Sequence, residues 1–115
     1  MVLKMSKTGK RKITRTTLVN LHTYKGSDYV LIDRRTMFGN HQFKIGQYNF
    51  YLKRKLTRED AVDLFRKQFK NRMIHDAKYR AAIEKLRGKK LACWCTPLAC
   101  HGDVYIEYFE EGPWW

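Results

Sequence analysis

Residues 89–110, KKLACWCTPLACHGDVYIEYFE, contain all three cysteines and one of the four histidines of this 115-residue chain. Within them, residues 90–95 form a short apolar run bounded by Gly88 and Pro97, which predicts a buried strand. Side chains two apart share a face of a strand, so Cys93 and Cys95 are expected to point the same way. Thr96-Pro97-Leu98-Ala99 ends the strand, because Pro97 has no N–H to give a ladder. Cys100-His101-Gly102-Asp103 then opens a helical pattern whose apolar side is Val104, Tyr105, Tyr108 and Phe109. Cys100 and His101 thus stand where a helix begins, beside unpaired backbone N–H groups and the positive end of the helix dipole. That position lowers a thiol's pKa and suits an anionic ligand. A reactive or ligand-binding centre is expected here.

Upstream of this strand–turn–helix lie two helical patterns. Thr57 is a good N-cap, Asp60 sits at the capping-box position, and both Glu59 and Asp60 complement the dipole. Val62, Phe65, Phe69 and Met73 follow at offsets of three and four and make one apolar stripe. A second helix, residues 76–87, is expected to bury Tyr79, Ala82, Ile83 and Leu86, with Gly88 just past its end. Earlier still, residues 17–22 (TLVNLH) and 29–32 (YVLI) read as strands, the second an apolar run buried on both faces. Residues 43–52 (FKIGQYNFYL) read either as a hairpin lining the site or as an irregular loop with a short strand. The order β, β, aromatic segment, α, α, β, α predicts an α/β fold. It would be a small single-domain sandwich whose mixed sheet has at least one parallel crossover and is flanked by three helices. Residues 1–15 read as a flexible basic arm, 16–110 as the domain and 111–115 as a C-terminal tail. Trp114 and Trp115 in that tail either fold back or meet a partner.

The stretch LRGKKLACWCTPLACHGDVYIEYF (residues 86–109) carries Leu-Arg-Gly-Lys, Cys-Trp-Cys, a proline and Cys-His-Gly-Asp in order. In this it resembles the domain-of-unknown-function family numbered 4326, found in bacteria, phages and some eukaryotes. The run after the second strand is similar too. Arg34 matches the arginine of that family's early motif, and Phe38, Gly39, Asn40 and Phe43 match its aromatic-Gly-Asn-Pro-Phe run. The chain departs at His41-Gln42, where one proline is typical. The resemblance spans about residues 17–110, implies a phage-type protein, and supplies little chemistry.

Composition narrows the function classes. Hydrophobic content of 43% with 14% aromatics predicts a globular domain, and no apolar run approaches the ~20 residues that span a bilayer. With no signal-like segment either, a cytoplasmic protein is expected, with no membrane partner. The net charge of +13 points to a polyanion: nucleic acid or a nucleotide. Candidate nucleic-acid contacts are Lys10, Arg11, Lys12 and Arg15 of the arm and Lys53, Arg54 and Lys55 before the first helix. Three cysteines within eight residues do not make a secreted disulfide pattern, so reduced thiols are expected.

The cysteine cluster admits three readings. In the first, Cys100, His101 and Asp103 are catalytic, with Arg34, Phe38, Asn40 and Cys95 binding the ligand. His22 or His41 could serve as the base in place of His101. In the second, Cys93, Cys95, Cys100 and His101 hold zinc, although Cys-x-Cys and adjacent Cys-His are poor zinc spacings, so no cofactor is expected. In the third, the cluster is structural: Cys93 is a small buried hydrophobe, Trp94 is core, and His22 and His75 are ordinary surface or satisfied residues. The first reading makes the chain a nucleotide- or nucleic-acid-processing enzyme whose reaction the sequence does not name. Its rival is a non-catalytic basic nucleic-acid-binding protein with a structural or zinc-bound cluster.

Overall fold

Strand β1 (Thr17–Asn20) opens the sheet in the computed structural model, which describes residues 15–115. The arm cations Lys10, Arg11 and Lys12 lie outside the described residues. Thr16, buried just ahead of β1, accepts the Gly88 N–H on its hydroxyl at 2.7 Å and ties the domain's start to the approach of the last strand. After β1 the chain returns along the sheet and forms β2 (Val30–Leu31). Next come a two-stranded antiparallel ribbon, β3 (Tyr48–Asn49) and β4 (Arg54–Lys55), and helices α1 (Arg58–His75) and α2 (Ala77–Glu84). Strand β5 (Lys90–Cys93) and helix α3 (Gly102–Glu111) complete the chain.

The main sheet has the order β1-β5-β2, and both pairings are parallel. Its last strand is therefore its centre, which is why residues 91–93 are all buried. The connection through α1 and α2 is the expected parallel crossover, and the molecule is α/β with three helices. The strands are shorter than the apolar runs that announce them. The outer strand β2 is half-buried, and full burial falls instead on Ile32 just beyond it. Helix α1 begins as its sequence dictates: the Thr57 hydroxyl accepts the Asp60 N–H and the Asp60 carboxylate accepts the Thr57 N–H. Its stripe of Val62, Phe65, Phe69 and Met73 packs with Tyr79, Ile83, Leu86, Leu91, Val104 and Tyr105 into one core. The C-terminal tail folds back: Trp114 stacks on Phe69 and Trp115 on Tyr108.

Trp94 departs from the sequence expectation. It is half exposed, not core, because β5 ends at Cys93 and Trp94 stands just past the strand. There it meets His22 edge-on at 4.7 Å and donates its indole N–H to Asp33 at 3.1 Å.

Candidate functional site

All three parallel strands run out at the same edge of the sheet, where the loop after β2 (residues 32–43) and the turn after β5 (94–101) face each other. The first loop is fixed by its own bonds. The Thr36 hydroxyl donates to the Leu31 carbonyl at 2.9 Å and accepts the Phe38 N–H. Asn40, nearly buried, brackets Phe43 by giving its amide N–H to the Phe43 carbonyl and accepting the Phe43 N–H. The loop closes so tightly at Gly39 that any Cβ there would overlap the Asp33 carbonyl. In the middle of this scaffold Arg34 gives its Nε–H to the Asn40 carbonyl at 3.0 Å. Its two terminal guanidinium nitrogens have no hydrogen-bond partner among the described residues, which leaves a planar fork suited to a phosphate or carboxylate.

The second wall is built from the Cys-His-Gly-Asp run, each residue in a different task. The Cys100 sulfur lies buried 3.6 Å from the Cys93 sulfur. His101 donates its Nε2–H to the Ile32 carbonyl at 2.6 Å, since a carbonyl can only accept, so its proton sits on Nε2 and Nδ1 is left as an acceptor. Gly102 lets α3 approach the sheet: a Cβ there would stand 2.7 Å from the Leu18 side chain and 3.0 Å from that of Ile32. Asp103, in the first turn of α3, reaches back and accepts the Cys100 N–H at 3.0 Å, tying the incoming turn to the helix. The turn leading in contains a cis Thr96-Pro97 bond and is held by Asn20, whose side-chain N–H reaches the Thr96 carbonyl at 2.6 Å.

Between the walls lies a cleft of about 320 Å³ lined by Asp33, Arg34, Arg35, Cys93, Trp94, Cys95 and His101. A smaller hollow of about 70 Å³ shares Arg34, Cys95 and His101 with it and adds Asn40, Arg58 and Cys100. Arg58, at the first turn of α1, is fastened there by a bond to the Ala99 carbonyl. Across the two hollows the lining therefore holds three arginines and one acid, Asp33, which is itself held by Arg35 at 2.6 Å. The Arg35 guanidinium keeps the Asp33 carboxyl well below the usual range, at about 2.

Of the residues singled out from sequence, Arg34, Asn40, Cys95, Cys100 and His101 meet at these two hollows. Phe38 and Asp103 do not line them: Phe38 packs against the core, its carbonyl accepting the Tyr105 hydroxyl at 2.6 Å, while Asp103 turns back to the Cys100 N–H. His41 is exposed, with Nε2 on the Thr36 carbonyl, and His22 stands at Trp94. Arg15 pairs with Glu110 and Arg54 with Asp60, while Lys53 and Lys55 project from the β3–β4 ribbon. Arg35, Arg58, Trp94 and Asn20 were not singled out. Arg58, Trp94 and Asn20 act on residues 41 or more positions away, at separations that carry no local pattern, while Arg35 reaches back two residues to Asp33.

The thiols differ from what the helix start alone suggests. The two thiols share one hydrogen bond, and this bond together with burial pushes the Cys100 thiol up. The same bond, helped by the Thr96 and Cys95 N–H groups, lowers Cys93 to about 6. The pair therefore holds one proton firmly and gives up the other easily. Burial pushes the His101 imidazole below its ordinary value, so the ring is neutral near pH 7. As for the zinc set, His101 Nε2 is already engaged, and among the described residues no three His, Cys, Asp or Glu side chains are grouped to hold a metal ion.

The fold and site define a small parallel α/β domain with an arginine-lined cleft at the C-terminal edge of its sheet. The chain belongs to the family described as Domain of unknown function (DUF4326), whose model matches residues 19–111. It is also similar to the uncharacterized 12.4 kDa protein in the nrdA-td intergenic region of Enterobacteria phage T4. The two are 37% identical over 84 residues, which cover 73% of this chain and 69% of that protein. No solved structure matches the chain. Among the described residues no helix is long and apolar enough to cross a membrane.

Proposed function

We propose that this protein is an enzyme that processes a nucleotide, free or within a nucleic acid, in the cleft at the C-terminal edge of its sheet. One observation carries the reading: Arg34, Cys95 and His101 converge on both hollows, one adding Arg35 and the other Arg58. Parallel sheets present ligands at this edge, and arginine forks bind phosphate oxygens in pairs. His101, neutral and with Nδ1 as acceptor, is suited to take a proton, and the Cys93–Cys100 pair offers a thiolate at the cleft. Cys100 then serves as the donor that holds that thiolate.

The test is to incubate the protein with nucleoside phosphates and with single-stranded oligonucleotides and to follow products by mass spectrometry. We expect a product that disappears in Arg34→Ala and in Cys93→Ser, each checked for folding by circular dichroism. A folded wild type that binds nucleotides and changes none of them would overturn the catalytic reading.

A second reading, a non-catalytic nucleic-acid binder, is favoured by the burial of both sulfurs and by the His101 bond to main chain, which also suit a purely structural lock. It predicts binding that follows salt concentration, with about −0.9 in log–log slope for each phosphate contacted on duplex DNA. Binding would also be indifferent to Cys93→Ser. Zinc belongs with this reading. We expect elemental analysis of protein purified without chelator to give no stoichiometric metal, and one zinc per chain, lost together with the fold on chelation, would promote the binder.

A further inference from the structure

The β3–β4 ribbon between the Arg34 loop and α1 carries an exposed surface that the cleft does not explain. Phe50 and Tyr51 at its tip are 86% and 89% exposed, and Tyr48 behind them is 47% exposed. The tip is nonetheless ordered by its own bonds. Asn49 accepts the Leu52 N–H on its side chain at 2.9 Å and the Lys53 N–H on its carbonyl at 2.7 Å, and Lys53 takes a left-handed φ of 59°. Tyr48 meets Phe50 edge-on at 5.0 Å. Large rings held in solvent by a fixed turn mark a contact surface.

Charge indicates the kind of partner. Residues 41–58 contain Lys44, Lys53, Arg54, Lys55 and Arg58 and no Asp or Glu. Among these cations Arg54 alone is in an ion pair, with Asp60, among the described residues. Position indicates the rest: Ile45 and Arg58, on either side of the ribbon in the chain, both line the small hollow with Arg34, Cys95 and His101. We propose that the ribbon is a stacking platform for single-stranded nucleic acid, holding by Phe50 and Tyr51 the bases next to the nucleotide that enters the Arg34 cleft.

This rests on the cleft being a nucleotide site, and it narrows the substrate from a free nucleotide to one within a strand. Unpaired bases offer their faces to exposed rings while the backbone runs along lysines; a duplex hides those faces. Lys53 and Lys55 then track phosphates on either side of the stacked bases.

The test measures binding of a labelled 12-nucleotide single strand, of the matching duplex and of phosphatidylserine vesicles. Competition by a nucleoside monophosphate is read separately. Wild type, Phe50→Ser/Tyr51→Ser and Arg34→Ala are compared, with thermal melts to confirm folding. We expect wild type to prefer the single strand to the duplex, and the double variant to weaken single-strand binding by about tenfold or more. Monophosphate competition is expected to be lost in Arg34→Ala. A folded double variant that binds the single strand as wild type does, with Arg34-dependent monophosphate binding intact, overturns the platform and leaves the cleft standing. Strand binding that needs the rings while monophosphate never binds overturns the cleft instead. Vesicle binding that needs the rings, without single-strand binding, overturns the proposal in favour of a membrane contact.

Discussion

The sheet's C-terminal edge and the β3–β4 ribbon both face outward with chemistry on them, and they are built in opposite ways. At the edge, key polar side chains of the site are fixed by main chain: Arg34 by the Asn40 carbonyl, His101 by that of Ile32, Arg58 by that of Ala99. At the ribbon the turn is fixed, but Phe50 and Tyr51 project freely. The edge is preorganised and should tolerate little change, as sites that must hold a ligand in one geometry do. The ribbon offers area and charge, and changes there should alter binding without altering the fold.

Glycines give the largest contrast. Gly39→Ala would drive a methyl into the Asp33 carbonyl, and Gly102→Ala would push α3 off Leu18 and Ile32. We expect Gly39→Ala, which meets backbone, to cost about 3 kcal/mol or more by urea denaturation, the upper end for overpacking, and Gly102→Ala, which meets the ends of side chains, to cost less, about 1–2 kcal/mol. Gly46, with a φ of +84° and open space around it, should cost only about 1 kcal/mol as alanine, from backbone strain alone. Equal losses at Gly46 and Gly39 would erase the distinction.

Side chains should follow the same order. Cys93→Ser leaves a buried hydroxyl beside the Cys100 sulfur and should cost about 1–3 kcal/mol. Phe50→Ser should stay within about 0.5 kcal/mol of wild type, since its ring is already in water. A large loss at Phe50 would mean that the ribbon is a structural element.

A further difference lies in pH. In the unfolded chain both thiols titrate near 9, whereas in the native state Cys93 releases its proton near 6. Between pH 6 and 9 the unfolded chain binds the extra proton, so this pair adds stability as pH rises and loses it as pH falls through 6. Above 9 the trend reverses, because the native state resists ionising Cys100. His101 acts in the same direction on the acid side: its native pKa lies below 6.5, so stability falls as pH drops below 6.5 and the unfolded chain alone takes the proton. Urea midpoints across this range, with ultraviolet absorbance of the thiolate, should show the rise in wild type and a flatter profile in Cys93→Ser. A profile that Cys93→Ser leaves unchanged would mean that the sulfurs do not share a proton.

Much of the edge was legible in the sequence, because its parts are local. The apolar run into Cys93, Pro97 as a breaker and Asp103 three residues after Cys100 each follow from neighbours in the chain. The Thr57–Asp60 capping box is local in the same way. What the sequence did not disclose depends on where strands stop and on which elements meet. The helix start argues for an acidic Cys100, but a sulfur brought in from β5 reverses the order of the two thiols. Trp94 reads as core from its neighbours and is exposed because the strand stops before it. Arg58 reads only as the first residue of a helix and becomes a cleft wall through a carbonyl 41 residues away. The ribbon was one of two readings, since two-residue strands carry too little alternation to be told from a loop.

The cleft itself is open to a direct measurement: amide chemical-shift changes by NMR as a nucleoside monophosphate is titrated into the protein. The account predicts saturable shifts clustered at Arg34, Gly39, Asn40, Cys95, His101 and Gly102, absent in Arg34→Ala. The sheet's opposite end has its own cavity of about 700 Å³, lined by residues that include Asp28, Val30 and Lys90. Shifts that gather there, or none at any concentration, would contradict it.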